Sequence, residues 1–158
     1  VCFLLYPGEN ALNISQSELP ALQTVVGQKR LVLFLIDGTW PCAKKMMKES
    51  KNLHQLPRMS FDVENESRFM AIKQQPGEFC LSTLESVYIV LDQLNRMTFE
   101  NIGDQHEQLL RAFEELIQFQ IKCASDPSLP SYRNKKGYTK KEDRKPSKRW
   151  EERSIIFK

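Results

Sequence analysis

The sequence predicts an α/β fold with a mostly parallel sheet and flanking helices. Strand-like segments alternate with helix-like segments along the chain, which is typical of parallel sheets. The clearest element, residues 31–36, is an unbroken apolar run, and such runs are typical of strands buried on both faces of a parallel sheet. With 158 residues, 41% of them apolar, the chain is long enough to bury a core of this kind.

Local patterns predict the other elements in turn. An apolar run stopped by Pro7-Gly8 predicts the first strand, and a helix is expected to begin near Pro41 with Thr39 as its N-cap. The S-x-x-E pattern of Ser82-Thr83-Leu84-Glu85 predicts a capping box at the start of a later helix. In all, strands are predicted at residues 2–6, 31–36, 57–62 and 69–73, and helices at 15–22, 42–52, 82–95 and 105–123.

Charge divides the chain into two regions. We expect residues 1–124 to form the folded domain and residues 125–158 to form a linker and a basic tail. Residues 132–158 hold 11 basic against 4 acidic side chains, whereas the preceding 131 residues hold 12 against 16. Cations interleaved with aromatic rings attract phosphates and stack on bases, so the tail is expected to bind a polyanion. A solvated tail that only aids solubility is the equally weighted alternative.

Several classes of protein are excluded or disfavoured. The four cysteines lack the C-x-x-C spacing of a zinc or dithiol site and are interpreted as buried free thiols. No G-x-G-x-x-G, P-loop, G-x-S-x-G or H-E-x-x-H motif is present, which removes the commonest nucleotide-binding, hydrolase and metalloprotease interpretations. The longest aliphatic and aromatic run is six residues, far below the roughly 20 of a membrane span. We therefore expect a cytoplasmic protein, with a nuclear location as the alternative in a eukaryote.

A candidate site follows the strand at residues 31–36. Open α/β sheets bind ligands at the carboxyl ends of their strands, and Asp37 lies at such an end. Asp37 can act as a general base in a cleft, or it can accept hydrogen bonds from its own turn. Gly38 permits close backbone approach, and Trp40 offers a flat face for stacking, although core packing is the alternative for this ring.

Two further loops are candidates for the same edge of the sheet. Residues 6–11 follow the first strand, and the helix that starts at Ser82 would present backbone amides to a carboxylate or a ribose if it opened onto the cleft. The capping box alone also explains Ser82 and Glu85 without any ligand.

Three ordered segments resemble the DTW-domain family of tRNA-uridine aminocarboxypropyltransferases. Asp37-Gly38-Thr39-Trp40 matches the D-x-T-W signature of that family, and Leu4-Leu5-Tyr6-Pro7-Gly8 resembles its L-Y/F-P-G loop. Gln75-Pro76, followed by Leu81-Ser82-Thr83-Leu84-Glu85-Ser86, resembles its Q-P and L-S-T-L-E-A segment. The resemblance implies a fold related to the SPOUT class, with a trefoil knot where S-adenosylmethionine binds.

The resemblance also implies an activity and a set of residues. The expected reaction transfers the 3-amino-3-carboxypropyl group of S-adenosylmethionine to N3 of a tRNA uridine, giving acp3U and methylthioadenosine. Asp37 is the expected general base, and Trp40 would stack on the uracil or the adenine. The expected catalytic residues are Asp37, Thr39 and Trp40; the cofactor-binding residues are Tyr6, Pro7, Gly8, Leu35, Ile36, Gly38, Leu81, Ser82, Thr83 and Glu85; and the RNA-binding residues are Lys44, Lys45, Arg68, Lys73, Lys135, Lys136, Lys140 and Lys141.

The chain departs from the family pattern in two places. The Cys-rich, zinc-binding-like segment that many relatives carry before the L-Y/F-P-G loop is not in this sequence, which starts at Val1 within strand-like residues. Lys73 stands where relatives often have Arg before Q-P, and Arg68 is the candidate to compensate. We expect tRNA as the partner, with no metal, membrane or obligate protein partner. A SPOUT-type RNA methyltransferase and a non-catalytic tRNA-binding module are the alternatives.

Overall fold

The computed structural model describes residues 1–72, 80–126, 128–129 and 143, and within them strands and helices alternate as predicted. The strands are β1 (Cys2–Leu5), β2 (Leu12–Asn13), β3 (Val32–Leu35) and β4 (Arg58–Ser60). The helices are α1 (Leu19–Val26), α2 (Trp40–Glu49), α3 (Thr83–Arg96) and α4 (Glu107–Ser125), and 3-10 turns lie at Lys51–Gln55 and Arg68–Ala71. The described residues contain no helix with the length and hydropathy of a membrane span.

The four strands form one parallel sheet in the order β2-β4-β1-β3, which confirms the predicted α/β class. β1 is paired on both sides: Leu5 lies opposite Leu35 of β3 and opposite Met59 of β4. Because the strands are parallel, their carboxyl ends meet at one edge of the sheet. The loops that follow β1 and β3 therefore leave the sheet as neighbours.

The main hydrophobic core lies between one face of the sheet and helices α1 and α3. Alternate side chains of a strand point to opposite faces, so Phe3 and Met59 share this face, whereas Leu4 is buried on the other. The apolar stripes of the two helices cover it. The buried members of the cluster are Phe3, Ile14, Leu22, Val26, Met59, Val90 and Leu94.

Helix α4 packs against α3 through its own apolar stripe, in which Leu110, Phe113 and Ile117 are buried. Phe113 also stacks on Phe69 of the second 3-10 turn, with ring centroids 5.7 Å apart. The α4 stripe therefore holds this turn and α3 together.

The edge position of β3 corrects one prediction. Among the described strands β3 pairs only with β1, and Val32, Phe34 and Leu35 are 37%, 44% and 37% exposed. The prediction of a strand buried on both faces was therefore wrong for these residues. An apolar run reports strand propensity, but the place of a strand within the sheet depends on distant pairing partners.

Two other elements differ from expectation. The strand predicted at residues 69–73 is instead the 3-10 turn Arg68–Ala71, as far as the described residues extend. The Ser67 hydroxyl accepts the Phe69 amide, and Glu85 accepts the Arg68 amide, so both N–H groups bond side chains instead of a neighbouring strand. The helix predicted at residues 15–22 lies four residues later, at Leu19–Val26.

The cysteines are all free thiols but are not all buried. Cys80 is buried as expected, whereas Cys42 is exposed in the first turn of α2.

Candidate active site

The described parts of the three sequence motifs meet at the carboxyl edge of the sheet. Leu5 pairs with Leu35, so the loops that begin at Tyr6 and Ile36 lie side by side. The Thr83 hydroxyl donates a hydrogen bond of 2.7 Å to Oδ1 of Asp37 and so brings the N-terminus of α3 to the same place. Residues 46 positions apart in sequence thus form a single cluster.

Asp37 is the exposed centre of this cluster. Its Oδ1 accepts the Thr83 hydroxyl, whereas Oδ2 has no partner within the described residues. The carboxylate lies just before the N-terminus of α2 and at the N-terminus of α3, where helix dipoles favour negative charge. One oxygen positions the side chain, and the other can accept a proton.

Gly38 shapes the turn between β3 and α2. Its φ of +154° is one that other residues rarely adopt, and an added Cβ would lie 3.2 Å from Cε of Met46. Glycine therefore lets the chain turn from the strand directly into the helix.

Thr39 and Trp40 begin α2. Thr39 occupies the predicted N-cap position, but its hydroxyl donates to Sγ of Cys42 at 3.2 Å and makes no hydrogen bond to a helix amide. The prediction of Thr39 as the N-cap residue is therefore confirmed, although its side chain does not cap the helix. Trp40 is half-buried and lies outside the fully buried core.

The loop at Tyr6–Gly8 depends on Arg58, a residue that the sequence analysis missed. The Arg58 guanidinium lies 5.6 Å from the centroid of the Tyr6 ring and donates to the Pro7 carbonyl at 3.3 Å. A Cβ on Gly8 would lie 2.5 Å from Nη1 of Arg58, so a side chain at this position would displace the guanidinium from its present place. Partial burial raises the pKa of Tyr6, and the nearby Arg58 charge opposes that rise.

The capping box at the start of α3 is present as predicted, and its Glu85 also binds residues outside the box. The Glu85 carboxylate accepts the backbone amide and the hydroxyl of Ser82, both at 2.8 Å. It also accepts the Ser67 hydroxyl and the Arg68 amide, both at 2.7 Å. With 5% of its surface exposed, Glu85 is buried, and both of its carboxylate oxygens accept hydrogen bonds from within the protein.

The capping box leaves part of the α3 N-terminus available. It uses the amides of Ser82 and Glu85. The amides of Thr83 and Leu84 have no acceptor within the described residues, and the half-buried Leu81 and Ser82 precede them. Two N–H groups at the positive end of a helix beside Asp37 can bind an anionic group.

The predicted RNA-binding residues fall in different places. Lys45 is exposed and Lys44 is half-buried on α2, next to the site. Arg68 forms an ion pair with Glu114 of α4 and so links the 3-10 turn to that helix. Outside the described residues lie Lys73, the Gln75-Pro76 motif, Lys135, Lys136, Lys140 and Lys141. In the described part of the chain, no three His, Cys, Asp or Glu side chains are grouped as metal ligands.

Comparison with known proteins gives a consistent family. The model of the DTW domain matches residues 1–121. A "tRNA-uridine aminocarboxypropyltransferase 2" of Drosophila melanogaster is 33% identical over 118 residues, which are 75% of this chain and 42% of the relative. Proteins of the same name from Mus musculus and Macaca fascicularis are 32% and 29% identical over 118 residues, 75% of this chain and 36% of each relative.

The chain thus spans about two fifths of the length of the curated relatives that it matches. No solved structure matches it significantly. Since the family match covers the sheet, all three motif loops and most of α4, the chain belongs to the DTW domain family.

Proposed function

We propose that this protein transfers the 3-amino-3-carboxypropyl group of S-adenosylmethionine to N3 of a uridine in tRNA. The names of the relatives support aminocarboxypropyl transfer to tRNA uridine at the level of the family. The observation that carries the proposal is the hydrogen bond from Thr83 to Asp37, which unites the D-x-T-W and L-S-T-L-E segments in one site.

The cluster has groups that suit the donor substrate. The available amides of Thr83 and Leu84 would bind the carboxylate of its amino-acid arm, at the positive end of α3. Gly38 has no side chain to block close approach, and Leu35, Ile36 and Leu81 would supply apolar contacts for the adenosine. The Tyr6–Gly8 loop, fixed by Arg58, would form the neighbouring wall.

The acceptor uridine requires a base, because its N3 carries a proton and is a poor nucleophile until that proton leaves. In our proposal Oδ2 of Asp37 takes the proton, while Thr83 holds Oδ1 in place. S-adenosylmethionine supplies an electrophilic γ-carbon: the N3–C bond forms as the C–S bond breaks, and the sulfur keeps the electron pair as neutral methylthioadenosine leaves. Trp40 and Thr39, at the start of α2, would orient the reacting base.

The regions beyond this cluster complete the proposal. A SPOUT-like arrangement with a knot would agree with the all-parallel sheet, and residues 1–124 would act as the catalytic domain. Residues 125–158 would act as a basic tail that binds tRNA, in a cytoplasmic or nuclear protein.

The test uses the full chain with unmodified tRNA and S-adenosylmethionine that is labelled either in its carboxyl carbon or in its methyl group. We expect label in the RNA only from the carboxyl-labelled donor. Label only from the methyl group would make the protein a methyltransferase and contradict the proposal. Binding of tRNA without transfer of either label would also contradict it and favour a non-catalytic binding module.

A further inference from the structure

The charged side chains of the described domain are segregated. Residues 40–55, which form α2 and the following 3-10 turn, contain Lys44, Lys45, Lys48 and Lys51 against the single acid Glu49. Residues 83–126, which include α3 and α4, contain eight acidic and three basic residues. A polyanion that approaches the domain is therefore repelled by the α3–α4 side and attracted to α2.

The lysines of α2 lie on one side of the helix. At about 100° per residue, Lys44, Lys45 and Lys48 fall within roughly a third of its circumference. Ala43 and Met47 of the same helix are buried, whereas Lys45 and Lys48 are exposed, as is Lys51 just beyond its end. Within the described residues, Lys45, Lys48 and Lys51 make no ion pair.

This lysine face starts at the candidate active site. Trp40, the first residue of α2, follows Asp37 by three positions, and Lys48 lies about 12 Å further along the helix axis. Ammonium groups on flexible stems bind phosphates as point charges, without reading the base sequence. The lysines are therefore placed to contact the backbone on one side of a nucleotide that is bound at Asp37.

We propose that Lys45, Lys48 and Lys51 bind the phosphates of the nucleotides that flank the target uridine, an inference that rests on the proposed function. Through these contacts α2 would set the direction in which the RNA strand crosses the carboxyl edge of the sheet. Lys45 and Lys48 lie on a helix that itself begins at the site, and Lys51 lies just beyond the end of that helix, so none of the three belongs to the basic tail.

The test compares two variants of the full chain with the same loss of charge. One carries Lys45→Gln, Lys48→Gln and Lys51→Gln. The control carries Arg96→Gln, Arg111→Gln and Lys122→Gln on the acidic α3–α4 side. The dissociation constant for unmodified tRNA is measured over a series of salt concentrations, without S-adenosylmethionine.

We expect the lysine variant to bind tRNA more weakly at low salt. The logarithm of its association constant should also fall less steeply with the logarithm of the salt concentration: the magnitude of this slope should decrease by about 2, or roughly 0.7 for each phosphate that is no longer neutralised. The control should keep a slope within about 0.5 of the wild type. Equal slopes for the lysine variant and the wild type, or equal reductions in both variants, would overturn the inference. Binding is measured without S-adenosylmethionine, so the two proposals can fail separately. If the wild type transfers the label but the lysine variant keeps the wild-type salt slope, only this inference is removed. If the lysine variant has a less steep salt slope but the wild type transfers no label, only the proposed activity is removed.

Discussion

Two carboxylates lie at the N-terminus of α3, and their surroundings are opposite. Glu85 is buried and accepts four hydrogen bonds from Ser67, Arg68 and Ser82. Asp37 is exposed and accepts one hydrogen bond from within the described residues, from Thr83. A buried carboxylate whose two oxygens both accept hydrogen bonds stabilises a fold, whereas an exposed carboxylate at a sheet edge can take part in chemistry.

The largest effect should come from Glu85, where the comparison predicts a loss of stability. Glu85→Ala leaves the buried Ser67 hydroxyl and the Arg68 amide without an acceptor, so the free energy of unfolding should fall by about 3 kcal/mol. Chemical denaturation measures it, with Glu115→Ala on the exposed side of α4 as the control. A loss below about 1 kcal/mol would mean that the network is not structural.

A change at the exposed carboxylate, Asp37, should lower the transfer rate and leave the free energy of unfolding nearly unchanged. Asp37→Asn keeps an oxygen for Thr83 but removes the base, so the transfer rate at saturating tRNA should fall by about 100-fold or more. The free energy of unfolding should change by less than about 0.5 kcal/mol, because the site is exposed. Full activity in this variant would remove Asp37 from the mechanism.

A change at Thr83 separates the positioning of Asp37 from its role as the base, because the Thr83 hydroxyl holds the carboxylate but cannot itself act as the base. Thr83→Val keeps the side-chain shape but loses the hydroxyl that holds Oδ1. We expect a rate about tenfold lower, corresponding to roughly 1.4 kcal/mol, with the same pH dependence as the wild type. Thr83→Ser should restore most of the rate; if it does not, the hydroxyl is not the group that matters.

A change at Arg58 tests whether this residue holds the Tyr6–Gly8 loop in the position that the donor substrate requires. Arg58→Lys removes the planar group that lies against Tyr6 and reaches the Pro7 carbonyl, so affinity for S-adenosylmethionine should fall by about 1 kcal/mol, a factor of roughly 5. Isothermal titration measures this directly. The Lys45→Gln variant is the control, and equal affinities in the two variants would separate Arg58 from the donor site.

The smallest effect is expected at the other end of the α3–α4 pair, where Glu107 accepts the Tyr88 hydroxyl at 2.8 Å. Burial, together with the hydrogen bond and charge of Glu107, raises the pKa of Tyr88 to about 12. Since the folded-state pKa lies above the unfolded value of about 10, this stabilisation is complete below pH 10 and is lost as the pH rises toward 12. Tyr88→Phe should therefore lower the unfolding free energy by about 0.5 kcal/mol at pH 8 and make the fall of the unfolding free energy above pH 10 smaller. An identical alkaline decline in both proteins would contradict this.

The sequence predicted those features that are local. The capping box is an S-x-x-E pattern within four residues, and it forms as expected. The parallel sheet follows from alternating segments, because apolar runs and amphipathic periods are visible in short windows. The Asp37 turn at the carboxyl end of β3 was also predicted from its position after an apolar run.

The features that were missed depend on residues far apart in sequence. Arg58 contacts the Pro7 carbonyl across 51 positions, and Ser67 reaches Glu85 across 18. No local pattern reports such pairs. The edge position of β3 was missed for the same reason, since strand order depends on which distant strands pair. The position of Asp37 at a strand end and the resemblance to a family both suggested that the segments around Asp37 and Thr83 meet, but neither predicted the hydrogen bond that joins them.

The central claim is that the exposed carboxylate at the sheet edge is the catalytic group of an aminocarboxypropyl transfer. The most direct test is a single-turnover reaction of the wild type and Asp37→Asn with carboxyl-labelled S-adenosylmethionine and unmodified tRNA. We predict that the wild type labels uridine in the RNA and that Asp37→Asn does so about 100-fold more slowly, with unchanged unfolding free energy. Labelling at the same rate by both proteins would contradict the account.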